Sequence, residues 1–229
     1  SKWNAAPLAL LPGLAFLVIR IGAGRRRLLL SRRGAPIPGV SLLEAALWLG
    51  ATPLAIYTLT YAPAWFFASG AIGAPGGASN FLTFHLDAIR LQESVIKKHP
   101  YMSRWPEWVL NTRSIWYLYE PVDGAQRGVV LIGNPLTMLL GLPALLWAAS
   151  QALLRRNPAA AAACLVYVVT LGFWIVSDKP VQFLYHYFLP SMALLAALAL
   201  MLDEVWRTGK RVLAALPLVG SIALFAHFY

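Results

Sequence analysis

Residues 159–177 read AAAAACLVYVVTLGFWIVS, a run without a single charged side chain. A helix must present about 20 mostly apolar residues to cross a bilayer, and this run does so. Five further segments follow the same rule: 5–21, 42–67, 129–154, 183–202 and 212–228. The reading is an all-α protein, a polytopic bundle of transmembrane helices. Composition agrees, since 59% of residues are hydrophobic and 12% charged, against roughly a quarter charged in soluble domains.

The formal net charge of +10 suggests nucleic acid until its placement is read. Arg25, Arg26, Arg27, Arg32 and Arg33 follow the first apolar segment, Arg155 and Arg156 the third, and Arg207, Lys210 and Arg211 the fifth. Short basic loops beside apolar helices are the positive-inside pattern. Loops 25–33, 155–158 and 203–211 are therefore expected in the cytoplasm, against its anionic lipid surface. The stretch 68–128 and the turn around Asp178 and Lys179 then lie outside. No nucleic-acid-binding motif accompanies the charge, so nucleic acid is excluded as a partner.

Cys164 is the only cysteine and lies in an apolar run, which rules out an internal disulfide. The chain begins at Ser1 and enters an apolar segment with no short basic region or cleavage site. That is not a signal peptide, and the expectation is a piece of a longer multi-span protein.

Chemistry is expected in the long outer stretch, because the other loops are short. It opens on Gly70, Gly73, Pro75, Gly76 and Gly77, a turn region. The preceding Trp65, Phe66 and Phe67 fit an interfacial belt. Ser79 or Asn80 then caps a helix. Phe81, Phe84, Ala88, Leu91 and Val95 form its apolar stripe, and Asp87, Arg90, Ser94 and Lys97 a polar one. Such an amphipathic helix either lies in the membrane interface or packs on its own membrane domain. Pro100 is expected to end it by removing a backbone donor.

Beyond Pro100 the chain turns aromatic. His99-Pro100-Tyr101-Met102-Ser103-Arg104-Trp105-Pro106-Glu107-Trp108 leads into Arg113-Ser114-Ile115-Trp116-Tyr117-Leu118-Tyr119-Glu120. Leu131-Ile132-Gly133-Asn134-Pro135 follows, and later Gln182-Phe183-Leu184-Tyr185-His186-Tyr187. This ordered set resembles the protein O-mannosyltransferase family, in its carboxy-terminal module of four transmembrane helices. The family pattern is a His-Pro-Tyr-x-Ser-x-Trp stretch, a Trp-containing segment ending in Arg, a Gly-Asn-Pro at a helix start, and a Phe-Leu-Tyr-His-Tyr-like run. The resemblance covers about residues 81–229. It implies the carboxy-terminal part of a GT-C type glycosyltransferase, with about five helices and the rest of the amino-terminal half lying upstream. The loop is too short for the MIR domain of eukaryotic members, which implies the bacterial form in an inner (plasma) membrane.

The expected organisation is two transmembrane helices over 1–67, the outer loop with its amphipathic helix over 68–128, and four transmembrane helices over 129–229. The resemblance implies transfer of mannose from a polyprenyl-phosphate-mannose donor to Ser or Thr hydroxyls of a protein acceptor, with no cofactor. In the family the catalytic acidic pair lies in the first outer loop. The base is therefore expected in the missing part, and this chain alone is expected to be inactive. Asp203-Glu204 imitates the pair in letters only and is read as part of a cytoplasmic loop balancing Arg207.

Such a transfer needs fixed positive charge for the departing lipid phosphate. Arg113 is the first candidate, since a guanidinium fork matches phosphate oxygens. Its bland alternative is an anchor to lipid headgroups. Tyr101, Trp105, Trp108, Trp116 and Tyr117 are candidates to stack on sugar or line the lipid entrance, and read equally as an interfacial belt. His99 is a donor to phosphate or a helix-end partner. His186 is a candidate because a polar residue within a span marks function. Lys179 stands in the same outer turn, as a phosphate ligand or a surface ion pair with Asp178. Asn134 caps the helix start before Pro135. His85 and Asp87 lack a third ligand at suitable spacing, so no metal is assigned. Two other classes stay open: another GT-C transferase of lipid-linked sugars, and a non-enzymatic transport or assembly module. A transporter would show inverted repeats, and none is evident.

Overall fold

A computed structural model describes residues 6–23, 29–34, 36–66, 72–73, 77–177 and 179–228. Arg25, Arg26, Arg27, Phe67, Gly70, Pro75, Gly76 and Asp178 lie outside the described residues. The chain divides into two compact units, one up to Val95 and one from Ile96 onward.

In the first unit, α1 (Ala6–Gly22) is followed by a span, α2 (Leu42–Phe66). At 17 residues, α1 is shorter than the other apolar helices. Its last-turn Arg20 is fully buried and ties down the following loop, donating to the carbonyls of Arg33 (3.0 Å) and Val40. Ser41 caps α2 in a reciprocal box with Glu44, whose carboxylate also pairs with Arg32. The helix is not uniform. A π-helical turn at Leu47–Ala51 precedes Pro53, whose ring would clash with the carbonyl four residues back in a regular helix. Near Pro63 the pattern tightens to three-residue spacing, as in Ala62 N to Leu59 O at 3.0 Å.

The amphipathic helix, α3 (Phe81–Glu93), is present, and Asn80 caps it by accepting from Thr83 N. Its Phe81, Phe84 and His85 pack edge-on against Tyr57 and Tyr61, and Phe81 stacks on Trp65. Phe81 and Phe84 of the stripe thus turn toward α2, whereas Leu91 is exposed. The helix closes at Ser94, well before Pro100, with Ser94 Oγ donating to Leu91 O at 2.8 Å. Val95 and Lys97, expected on its faces, lie past its end. A hydroxyl bonded to the last-turn backbone competes with continuing the helix.

The second unit opens with a short helix, α4 (Trp105–Val109), and then departs from the sequence reading. Residues Ile115–Val122 and Ala125–Leu131 form an antiparallel hairpin, β1 and β2, with Val122 opposite Ala125. The two-residue turn is Asp123-Gly124, both at positive φ (53° and 76°), the dipeptide that primed hairpin turns favour. Because β2 takes residues 129–131, the third span begins later than expected, at α5 (Pro135–Arg155).

The remaining spans follow the sequence closely: α6 (Pro158–Val176), α7 (Phe188–Arg207, entered through a 3₁₀ turn at Leu184–Tyr187) and α8 (Arg211–Phe228). Among the described residues, five helices are long and apolar enough to cross a membrane. The chain is thus a mainly helical integral membrane protein. Helices α5, α6 and α7 meet through small side chains, with Ala148, Ala160, Ala163 and Ala197 buried together. Small residues permit close backbone approach where lipid supplies no hydrophobic drive between helices. A Cβ on Gly141 of α5 would stand 2.5 Å from Leu194 Cγ of α7, so only glycine fits. Asn134 caps α5 and reaches α8, donating to Ser221 O at 3.1 Å. Asp203 and Glu204, expected in a loop, belong to the last turns of α7, where Asp203 pairs with Arg207 at 2.9 Å.

Candidate functional site

The separated motifs of the second unit meet at one end of the α5–α7 bundle. Ser103 N donates to Gln182 O at 2.9 Å, joining the His-Pro-Tyr stretch to the turn before α7. Trp108 Nε1 donates to Ser103 Oγ at 2.8 Å, and both residues are buried. The Trp108 ring stacks on His186 with centroids 5.9 Å apart and meets Trp174 edge-on at 6.4 Å. His186 is fully buried, 4.0 Å from the Trp174 ring and 4.4 Å from that of Tyr185. Trp174 Nε1 is buried and has no hydrogen-bond partner among the described residues.

The 3₁₀ turn explains how a histidine is held here. Its Nδ1 lies 2.9 Å from both the backbone N–H and the carbonyl oxygen of Phe183, and its Nε2 lies 3.4 Å from Lys179 Nζ. An ammonium only donates, so with Lys179 charged Nε2 accepts and Nδ1 donates to Phe183 O, whereas the Phe183 N–H donates to Nδ1 only in the other tautomer. Lys179 is half-buried, and burial holds its pKa below the usual lysine value by disfavouring the charged form. The Gln182 amide secures the same turn, with contacts of 3.4 Å to Ser177 O and 3.3 Å to Lys179 O.

Gly-Asn-Pro is tied to the loop that follows α4. Asn111, at φ 53°, clasps Gly133 by donating to its carbonyl (2.7 Å) and accepting from its N–H (3.2 Å). A Cβ on Gly133 would stand 2.9 Å from Asn111 Oδ1, which is why glycine stands there.

The sequence candidates divide into two sets. Trp108 and His186 are interior. His99, Trp105, Arg113, Trp116 and Tyr117 are exposed, and Tyr101 is half-buried. Arg113 uses one nitrogen to donate to Pro100 O at 2.7 Å and keeps its side chain exposed. His99 packs edge-on to Phe183 at 5.3 Å and accepts from Tyr101 N at 3.2 Å. An exposed guanidinium and a half-buried ammonium are both suited to phosphate oxygens. Ser103, Asn111, Trp174 and Gln182 had no role in the sequence reading. Ser103 and Gln182 stood inside quoted motifs, but nothing in their letters pairs them. Among the described residues no group of three His, Cys, Asp or Glu side chains is placed to hold a metal.

The chain is 25% identical over 270 residues to a protein of Mycolicibacterium smegmatis named polyprenol-phosphate-mannose–protein mannosyltransferase. That alignment covers 100% of this chain and 51% of the relative. A protein of Mycobacterium tuberculosis with the same name is 26% identical over 213 residues, covering 81% of this chain and 40% of its own length. The chain spans about half the length of these curated relatives and matches their carboxy-terminal part. No family model matches the chain, and no solved structure matches it. The resemblance to the protein mannosyltransferases thus extends over the whole chain.

Proposed function

We propose that this chain is the carboxy-terminal part of a membrane glycosyltransferase. The reaction moves mannose from a polyprenyl-phosphate-mannose lipid to Ser or Thr hydroxyls of proteins, on the outer face of a bacterial inner membrane. The observation that carries the reading is the end-to-end match to relatives bearing that name. The meeting of the His-Pro-Tyr stretch with the Tyr-His-Tyr turn, through Ser103 and Gln182 and through Trp108 and His186, supports it. In the topology proposed from the basic loops, this end of the bundle faces outward.

In the proposed reaction the acceptor oxygen bonds to the sugar C1 while the bond from C1 to the phosphate oxygen breaks. The lipid phosphate leaves with that electron pair, and the hydroxyl proton passes to a base. No residue of this chain is assigned as that base. Arg113 and Lys179 are the cations proposed to stabilise the charge gathering on the phosphate. His186 positions Lys179, and Trp108 walls off His186. His99, Tyr101, Trp105 and Tyr117 are the proposed lining for sugar and lipid.

The test is transfer by the purified full-length protein to a Ser/Thr-rich peptide. Expected is labelled mannose on the peptide from polyprenyl-phosphate-mannose, and none from GDP-mannose. Mannose delivered from the lipid donor only to a lipid or glycan acceptor would replace the protein-directed reading with the other lipid-linked-sugar transferase. No transfer to any of these acceptors would refute the enzyme.

A further inference from the structure

At the opposite end of the same bundle is an open, mainly polar cavity of about 350 Å³. Arg155, the last residue of α5, and Arg207, the last of α7, supply positive charge to its lining. Asp203 and Glu204 supply negative charge, with Gln151 and Trp147 between the helices. Asp203 is paired with Arg207. Among the described residues, the Arg155 guanidinium and the Glu204 carboxylate form no ion pair. A carboxylate in the last turns of a helix faces the negative end of the helix dipole.

We infer that this cavity binds the headgroup of a zwitterionic phospholipid bearing a primary ammonium, with its phosphate toward Arg155 and its ammonium toward Glu204. A simple anion would meet two carboxylates, and a simple cation two guanidinium groups. A phosphate ester joined to an ammonium by a short linker satisfies both poles. The place also fits a lipid. This end of the bundle closes through the short connections at 156–157 and 208–210, at headgroup level if the helices span. Leu146, Leu153 and Leu154 of α5 remain exposed for acyl chains. A primary ammonium donates hydrogen bonds to a carboxylate, whereas a quaternary choline has no N–H to give.

The test is native mass spectrometry of the purified full-length protein with chain-matched phosphatidylethanolamine, phosphatidylcholine and phosphatidylglycerol. Expected is retention of phosphatidylethanolamine about tenfold over the other two, the size of one charge-assisted hydrogen bond. Glu204→Gln brings the ethanolamine-to-choline ratio to near one without lowering phosphatidylglycerol, and Arg155→Gln weakens phosphatidylethanolamine and phosphatidylglycerol alike. Equal retention of the three lipids by the unaltered protein would overturn the inference. So would an ethanolamine preference that survives Glu204→Gln, leaving only a solvated ion-pair face. Displacement of the lipid by micromolar glycerophosphoethanolamine would assign the cavity to a soluble ester and overturn the lipid source. None of these readings depends on mannose transfer.

Discussion

Helices α2 and α6 both qualify as membrane spans, yet they are built for different neighbours. Their most apolar windows have mean hydropathies of 1.4 and 2.2, while the buried shares are 6% and 33%. Helix α8, at a hydropathy of 1.7, also buries 6%. Hydropathy therefore decides that a helix spans, and composition along each face decides what it meets. In α6 the buried positions Ala160, Ala163, Tyr167, Thr170, Leu171 and Trp174 recur at helical spacing. In α2, Leu43, Leu47, Trp48, Leu54, Ile56 and Leu59 are exposed. Leucine against lipid tails gains as much as leucine against leucine, so close packing needs small residues instead.

The sharpest way to break this contrast is a paired substitution. Gly141→Val forces a side chain into Leu194 and is expected to destabilise the protein in detergent by about 1–3 kcal/mol. Leu54→Ala on the exposed face of α2 is expected to stay within about 0.5 kcal/mol. Equal shifts in melting temperature would mean that the bundle is no better packed than α2. A subtler comparison lies within the second unit. Ser103→Ala leaves the buried Trp108 N–H without its acceptor, at an expected cost of about 1–3 kcal/mol. Thr208→Ala, at the exposed end of α7, removes a hydroxyl bond to Val205 O and should cost less than half as much in the same melting experiment.

The smallest expected effect is on pH dependence. Burial lowers the pKa of Lys179 from the ordinary 10.5, so its charge is present below that lowered pKa and lost as pH rises through it. The alkaline limb of the transfer rate should therefore fall below pH 10.5. In Lys179→Arg the cation persists, because arginine holds its proton above pH 12, and the limb should move upward. An unmoved limb would remove Lys179 from phosphate binding.

The spans and the cap at Asn134 were legible because 20-residue apolar runs and an Asn-Pro start are local signals, and the same Asn-Pro start at Asn157 went unread. The hairpin was missed although Asp123-Gly124 between two β-rich runs carries its signal, because the aromatics of β1 were read as belt and binding residues. The end of α3 at Ser94 was misplaced because proline is the louder signal and a serine hydroxyl the quieter one. The site was only half legible. Trp108 and His186 were both candidates, yet their stacking joins residues 78 positions apart (186 − 108), and no periodicity encodes it. The cavity lined by Arg155 and Glu204 was hidden by the loop assignment of Asp203-Glu204, two residues that α7 extends to include.

The central claim is that the convergent end of the second unit stabilises a departing lipid phosphate, and Arg113 tests it most directly. A guanidinium already in place favours the transition state, where the phosphate gains charge, over the ground state. Loss of one such preorganised donor typically costs on the order of a hundredfold to a thousandfold in rate. The measurement is transfer from polyprenyl-phosphate-mannose to a Ser/Thr-rich peptide by equal amounts of purified full-length Arg113→Ala, Arg113→Lys and unaltered protein. The account predicts a loss of at least about a hundredfold for Arg113→Ala. Arg113→Lys should fall between the two, because it keeps the charge and loses the planar fork. Activity of Arg113→Ala within about twofold of the unaltered protein would contradict the claim, since an effect that small is far below the loss expected for a phosphate ligand.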